Sequence, residues 1–399
     1  MGDTRDENHL RTDSTGCLTI DTTFSPKVGN DGDGAHGSLP HLQQIIEKLL
    51  QDGDALAGVL KLAIIGQWTA SADDTPFTED KEDWNLVTVR SRSSSNSDGL
   101  GIEIERSIRM TNEELEWRTG VQYIETLIQK LANLLPFTWT TTLPFSASLW
   151  PALPQTLHHL ILDISLPFRP DSPSSPDITH NSPFFAQEDL RPLCTFTELR
   201  SLSIHGMMES FQSTIWETVW RNRNLHTLDL RMALEPIVRA SYQHGEWLRI
   251  NEAWSVDMPG RPQCSALLKY LGNEGAGSLH HLHGHGEYLD ILAIRKARIA
   301  ASIHDQIESL PLVKLRLEGF VVDGCPFERG FERLREIEFG RGCIDAGFEL
   351  PMGLSERVLV RVPGMGDKDG VGEAGEARKN RVVDGVRMDE REGCRESMM

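Results

Sequence analysis

The sequence predicts an α/β fold in which parallel strands, with helices outside them, are stacked layer on layer into an open, irregular solenoid. Three observations predict it. First, an apolar triplet at the first, fourth and sixth places of a six-residue stretch recurs: Leu225, Leu228 and Leu230; Leu199, Leu202 and Ile204; Leu157, Leu160 and Leu162; Leu312, Leu315 and Leu317; Leu334, Ile337 and Phe339. Leu134, Phe137 and Trp139 join the set. Second, the intervals from Leu134 to Leu157, Leu199 to Leu225 and Leu312 to Leu334 all lie within the roughly 20 to 29 residues of a layer-sized repeat. Third, polar residues alternate with the apolar ones inside each stretch, so each strand has a buried and an outward side.

Composition narrows the function. The 399 residues are 39% hydrophobic and 25% charged, with a net charge of −19. That acidity argues against a phosphate backbone as the main partner, because nucleic-acid binding needs a basic face. The amino terminus lacks a secretory apolar core and no run approaches the roughly 18 apolar residues of a membrane span. An intracellular protein is expected, with no membrane or nucleic-acid partner. The six cysteines, Cys17, Cys194, Cys264, Cys325, Cys343 and Cys394, lie far apart without metal-knuckle spacing, so free thiols are expected.

In chain order, residues 1–36 are polar and expected to be disordered. Residues 37–69 read as a helical hairpin, with Leu42, Ile45, Ile46, Leu49 and Leu50, then Leu56, Val59, Leu60, Ala63 and Ile64, broken at Asp52-Gly53-Asp54. The array is expected over 70–362. Its first part holds two strands, around Leu86–Val89 and Ile102–Ile104, joined by a serine-rich loop. A Thr111/Glu114 capping box then opens a helix whose inward stripe is Leu115, Val121, Ile124, Leu127, Ile128 and Leu131. Prolines and serines near 166–190 mark a loop insertion that lengthens the interval from Leu157 to Leu199. Residues between Leu225 and Leu279 have room for two repeats, with EWLRI (246–250) a weak strand, Cys264–Leu271 a helix and LHHLHG from Leu279 a strand. Leu289–Leu310 reads as one long helix carrying Arg295, Lys296 and Arg298. Val358, Val360 and Val362 form the last strand, and 363–399 is a charged tail expected to be disordered.

The triplets over residues 134–362 resemble those of leucine-rich-repeat proteins, which implies parallel strands on a concave face, helices outside and a protein-binding role. The position eight residues after the first leucine, where that family carries a turn-bonding asparagine or cysteine, holds Ser165, Met207, Ala233, Phe320 and Gly342. Irregular repeats are therefore expected, of the divergent type found behind F-boxes in fungal proteins. The segment Leu39-Pro40, Ile46, Leu50, Asp54, Leu56 and Trp68 loosely resembles an F-box, implying an adaptor that docks a ubiquitin-ligase linker subunit through 39–68. The other reading of that segment is a cap on the end of the solenoid.

Outward positions supply the candidate partner-binding surface: His158, His159, Arg200, Ser203, His226, Asp229, Arg231, His281, His283, Arg316 and Glu338. Asp163, His205, Lys314, Glu318 and Glu336 fall on the same face. Such a platform suits a protein partner of unknown identity. His280, His281, His283, His285 and Glu287 offer the one place for metal or enzymatic chemistry, yet a strand would let only two of those histidines share a face. No nucleophile elbow, phosphate-cradling loop or zinc-protease helix occurs. A non-enzymatic interaction module with no cofactor and no metal is expected. Trp139, Phe145 and Trp150 read as core.

Overall fold

The computed structural model describes residues 10–12, 16–23, 37–51, 56–69, 85–93, 102–110, 112–165, 185–239, 247–259, 270–301 and 309–363. Its centre is a ten-stranded sheet whose neighbours follow chain order. The strands are β1 (Leu10–Thr12), β2 (Cys17–Asp21), β3 (Lys61–Gly66), β4 (Pro136–Thr141), β5 (His159–Asp163), β6 (Ser201–Met207), β7 (Thr227–Met232), β8 (Lys314–Glu318), β9 (Glu336–Phe339) and β10 (Leu359–Arg361). Only β1 is antiparallel to its neighbour; β2 to β10 all run parallel. Parallel neighbours require a crossover between them, so each layer must leave the sheet and return.

Register follows the apolar triplets. Leu160 pairs with Leu202, Leu202 with Leu228, Leu228 with Leu315 and Leu315 with Ile337. These five side chains are buried completely, as are Leu162, Ile204, Leu230 and Leu317 in the next inward row. Full burial of one such side chain is worth about 1.5–3 kcal/mol, and no single strand could bury its own row. The first residue of most triplets closes a tight turn into the strand: the amides of Leu134, Leu157, Leu225 and Leu334 donate to the carbonyls of Leu131, Pro154, Asn222 and Phe331.

The strand entrances are held by the backbone. The carbonyl of Leu135 accepts from the amides of His158 and His159, that of His158 from Arg200 and Ser201, that of Arg200 from His226 and Thr227, and that of His226 from Val313 and Lys314. At the exits, the missing asparagine ladder is replaced locally: Asp21 Oδ1 accepts from the Thr23 amide and Asp163 Oδ1 from the Ser165 amide, each at 2.9 Å. β6 bulges before Met207, and Gly206 sits there at φ +71°, where a Cβ would come within 2.4 Å of Ser165 Cβ. Only glycine fits.

Helices α1 (Ser38–Gln51), α2 (Asn112–Ile128), α3 (Gln212–Arg221) and α4 (Ile291–Ala301) share the core behind the sheet. Edge-on aromatic contacts link Trp139, Phe145, Trp150 and Phe185, so the first three are core as expected. The helical hairpin expected over 37–69 is corrected. Its first half is α1, but Lys61–Gly66 is β3, with Leu62 and Ile64 inward beside Phe137 and Trp139. Parallel pairing on both sides outcompetes a second helix there. Cys17–Asp21 likewise corrects the disorder expected for 1–36: Leu18 and Ile20 are fully buried against that same core. In α2, Trp117 is buried whereas Leu115 is 40% exposed, so the inward stripe starts two residues later than expected.

Among the described residues, the segment between β7 and β8 adds no strand to the large sheet, and those two strands pair directly. The repeats expected there are corrected. Leu248–Arg249 pairs antiparallel with Ile344–Asp345 in a separate four-stranded sheet that also contains Phe320–Val322 and Glu287–Tyr288. Gly284–His285 pairs antiparallel with Ile237–Val238, and His280 to His283 form a turn. α4 covers Ile291–Ala301 of the longer helix expected, and Asp290 Oδ1 caps it by accepting from the Leu292 amide at 2.8 Å. Residues 264–269 of the expected Cys264–Leu271 helix, the Thr111 cap, the serine-rich loop, most of the 166–190 insertion and the 364–399 tail lie outside the described residues, and Tyr270 and Leu271 are not helical. The two strands expected around Leu86–Val89 and Ile102–Ile104 are present as Asn85–Ser93 and Ile102–Met110, but they pair antiparallel with each other in a two-stranded sheet of their own and not within the large sheet, where the array was expected to hold them. Among the described residues no helix is long and apolar enough to cross a membrane.

Candidate interaction face

Counted from the first apolar residue of each triplet, the third, fifth and seventh places point away from the core, and register lines them up in rows across the sheet. One row runs Thr19, Ala63, Thr138, Ile161, Ser203, Asp229, Arg316, Glu338 and Arg361. Over β2 to β5 it is neutral, made of hydroxyls and aliphatics. From Asp229 onward every member is charged.

The charged half is internally paired. Asp229 is centred: Arg231 reaches it with two hydrogen bonds of 3.1 and 2.7 Å, His205 Nε2 lies 3.4 Å away and Arg316 Nε 3.9 Å away. Arg316 also pairs with Glu338 at 3.1 Å. Lys314 bridges Glu336 and Glu338, each at 3.0 Å, and Arg361 closes the chain on Glu336 at 3.3 Å. Burial pushes the Asp229 carboxyl up, but the hydrogen bonds from His205 and Arg231 outweigh it and bring its pKa down to about 2. Lys314 is held more firmly protonated, because its bonds to Glu338 and Glu336 outweigh its own burial.

A second feature lies at the strand entrances. His158, Arg200 and His226 occupy equivalent places on consecutive layers, tied by the carbonyl row, and His159 begins β5 beside them. The His158 and His159 rings stand 6.5 Å apart. Burial, then His158, Arg200 and Lys61, lower the His159 pKa. Lys61 occupies the His159 position on β3.

Of the predicted surface residues, the structure thus brings His158, His159, Arg200, Ser203, His226, Asp229, Arg231, Arg316 and Glu338 to one face or its rim. It does not bring His281 and His283 there. His281 is exposed and His283 buried in a turn outside the sheet, with the His280 and His281 rings 4.2 Å apart. The sixth place of LHHLHG holds Gly284, which cannot fill a layer as an apolar side chain does. Glu287 is fully buried, its Oε1 accepting from Ser210 Oγ at 2.8 Å and Gln212 Nε2 at 2.7 Å, and burial raises its pKa to about 8. Its place is structural: Gln212 of α3 also bonds the Tyr288 carbonyl and the Asp290 amide, fastening the inserted segment to the helix. Among the described residues no group of three His, Cys, Asp or Glu side chains could hold a metal ion.

Four network members, His205, Lys314, Glu336 and Arg361, and the rim residue Lys61, were not among the predicted partner-binding residues. The first three were legible as outward positions. Arg361 follows from Val358, Val360 and Val362, and Lys61 needed the β3 strand to be recognised. A recess of about 420 Å³ on the far side, lined by Arg191, Cys194, Glu217 and Arg221 among others, offers less: both arginines are already paired with buried Glu217, at 2.8 and 2.6 Å. No family model, no curated protein and no solved structure matches the chain.

Proposed function

We propose that the chain is an irregular leucine-rich-repeat-type solenoid that works as a non-enzymatic protein-interaction module through the outward face of its parallel strands. The observation that carries this reading is the rank of nine parallel strands in chain order, whose outward residues form rows crossing every layer. A broad face of this kind presents many shallow contacts and no enclosed cleft, which favours a macromolecule over a small substrate. The face also divides into chemically distinct halves, which gives a partner polarity and register.

The F-box-like adaptor version, with docking of a ubiquitin-ligase linker subunit through 39–68, is the weaker one. Ile46 and Leu56 are buried in the core, Leu50 and Trp68 pack on it, and Trp68 lies against Gly120 of α2. A partner would have to displace these contacts. The test of the main reading is site-specific photocrosslinking in cell extract, with the crosslinker at Thr138 or Ile161 on the face, or at Gln122 on the exposed side of α2. Adducts of one defined mass from the two face positions are expected. Adducts from Gln122 alone would overturn it.

A further inference from the structure

The ion-pair network leaves one group of basic side chains out. Among the described residues, Lys61, His158, His159, Arg200 and His226 make no ion pair and no side-chain hydrogen bond with an acid, and the acid nearest in sequence, Glu198, makes no ion pair with them either. All but half-buried His158 are exposed. This is unusual company in a chain with a net charge of −19, where 59 acidic residues compete to neutralise 40 basic ones. By contrast Lys314, which occupies the same column on the next strand, is paired twice.

Their geometry is fixed by backbone. His158, Arg200 and His226 are consecutive members of the carbonyl row, with amide-to-carbonyl distances of 2.7 Å from Arg200 to His158 and 2.9 Å from His226 to Arg200. His159 and Lys61 start strands in one column, with Pro136 of β4 between them and neutral Ser201 and Thr227 beyond. From β3 to β7 the strip crosses four strand spacings, roughly 19 Å at about 4.8 Å each. It ends where Val313 and paired Lys314 begin.

We infer that this strip at the strand entrances is the docking site for an extended acidic segment of a protein partner, whose carboxylates meet Lys61, His158, His159, Arg200 and His226. The inference rests on the interaction-module reading and names the partner's chemistry. An extended peptide rises about 3.3 Å per residue, so roughly six residues span the strip. A nucleic-acid duplex fits worse: along the same 19 Å it would bring about eleven phosphate charges against the fixed cations of Lys61 and Arg200, next to a strongly acidic protein. Acidic side chains bring fewer charges, at a spacing closer to that of the cations.

The test is fluorescence anisotropy with a labelled octaglutamate peptide and the full chain at low salt, compared with a labelled DNA duplex and with anionic phosphatidylserine vesicles. Octaglutamate binding is expected. It should weaken when salt is raised to about 0.15 M, where the Debye length falls to about 8 Å. The Arg200→Glu/His226→Glu double variant should lose at least about tenfold in affinity, while Arg295→Ala, exposed on α4 and away from the outward face, should bind as the parent does. Both altered side chains are exposed and their backbone bonds remain, so the double variant should keep the parent's melting transition. If it does not, Lys61→Glu is the replacement, with the same loss expected. Absence of octaglutamate binding, equal binding by the folded strip variant, or tighter binding of duplex or vesicles would overturn the inference. Face crosslinks without octaglutamate binding would remove the acidic segment and leave the interaction module standing; Gln122 crosslinks alone would remove the module itself.

Discussion

The two halves of the outward face share one backbone and differ in everything else. Across β2 to β5 the central row reads Thr19, Ala63, Thr138 and Ile161; across β7 to β10 it reads Asp229, Arg316, Glu338 and Arg361. The inward rows behind both halves are equally apolar, and they are buried on every strand from β2 to β9, with only Val360 on the edge strand β10 partly exposed. Inward positions are thus dictated by layer packing, whereas outward ones are free to differ, and the difference between halves is where partner chemistry is written.

The comparison can be broken most severely from the inside. Leu160→Asp in the neutral half and Leu228→Asp in the charged half each place a carboxylate between layers, a buried unpaired charge that exceeds the usual 0.5–3 kcal/mol of a single substitution. Both should abolish the cooperative melting transition by circular dichroism. Retention by either would detach its row from the core.

On the outside the halves should part company. Asp229→Ala leaves Arg231 and Arg316 without their shared carboxylate and should cost about 1–3 kcal/mol in urea unfolding, whereas Thr138→Ala should change stability by less than about 0.5 kcal/mol. Because the folded Asp229 pKa, about 2, lies below the ordinary 3.8, its contribution is present above pH 3.8 and is lost as pH falls through about 2. Asp229→Ala should flatten that acid limb. Glu287 has the opposite sign. Its pKa is raised from 4.5 to about 8, so stability is greatest below 4.5 and declines as pH rises toward 8. Glu287→Gln should remove that decline while keeping an acceptor for Ser210 and Gln212; an unchanged pH profile would take Glu287 out of the account. The smallest effect is expected of Arg361→Ala, about 0–0.5 kcal/mol, since this pair sits half-exposed on the last strand.

Much of this was legible because a layer demands the same three apolar places each time. From β4 to β10 every triplet found in the sequence became a strand, Leu228 and Leu315 pairing in register across a long inserted segment. β3 was misread for a physical reason. Val59, Leu62 and Ile64 have the triplet spacing, yet Leu56, Val59, Leu60, Ala63 and Ile64 also satisfy helical periodicity, and a short apolar run cannot discriminate the two. Gly58 and Gly66 at its ends were the clue. β2 contributes only Leu18 and Ile20 and is diluted by polar neighbours, so composition concealed it. In the inserted segment LHHLHG imitates the first two places and fails at the third. The candidate site was legible as outward positions, but which of them pair and which stay unpaired depends on neighbours from other strands, and no strand's own sequence contains that.

That neighbours in the sheet are also neighbours in the chain has a mechanical consequence. Tension applied between the ends of the sheet meets the layers in series, so the molecule should peel one strand at a time and should not shear as a block. The steps would be unequal. Between β3 and β4, from Gly66 to Pro136, and between β7 and β8, from Met232 to Lys314, the tether should jump by a whole long connection, at roughly 3.3–3.6 Å for each residue released, leaving two long steps in an optical-trap record as the signature of this topology.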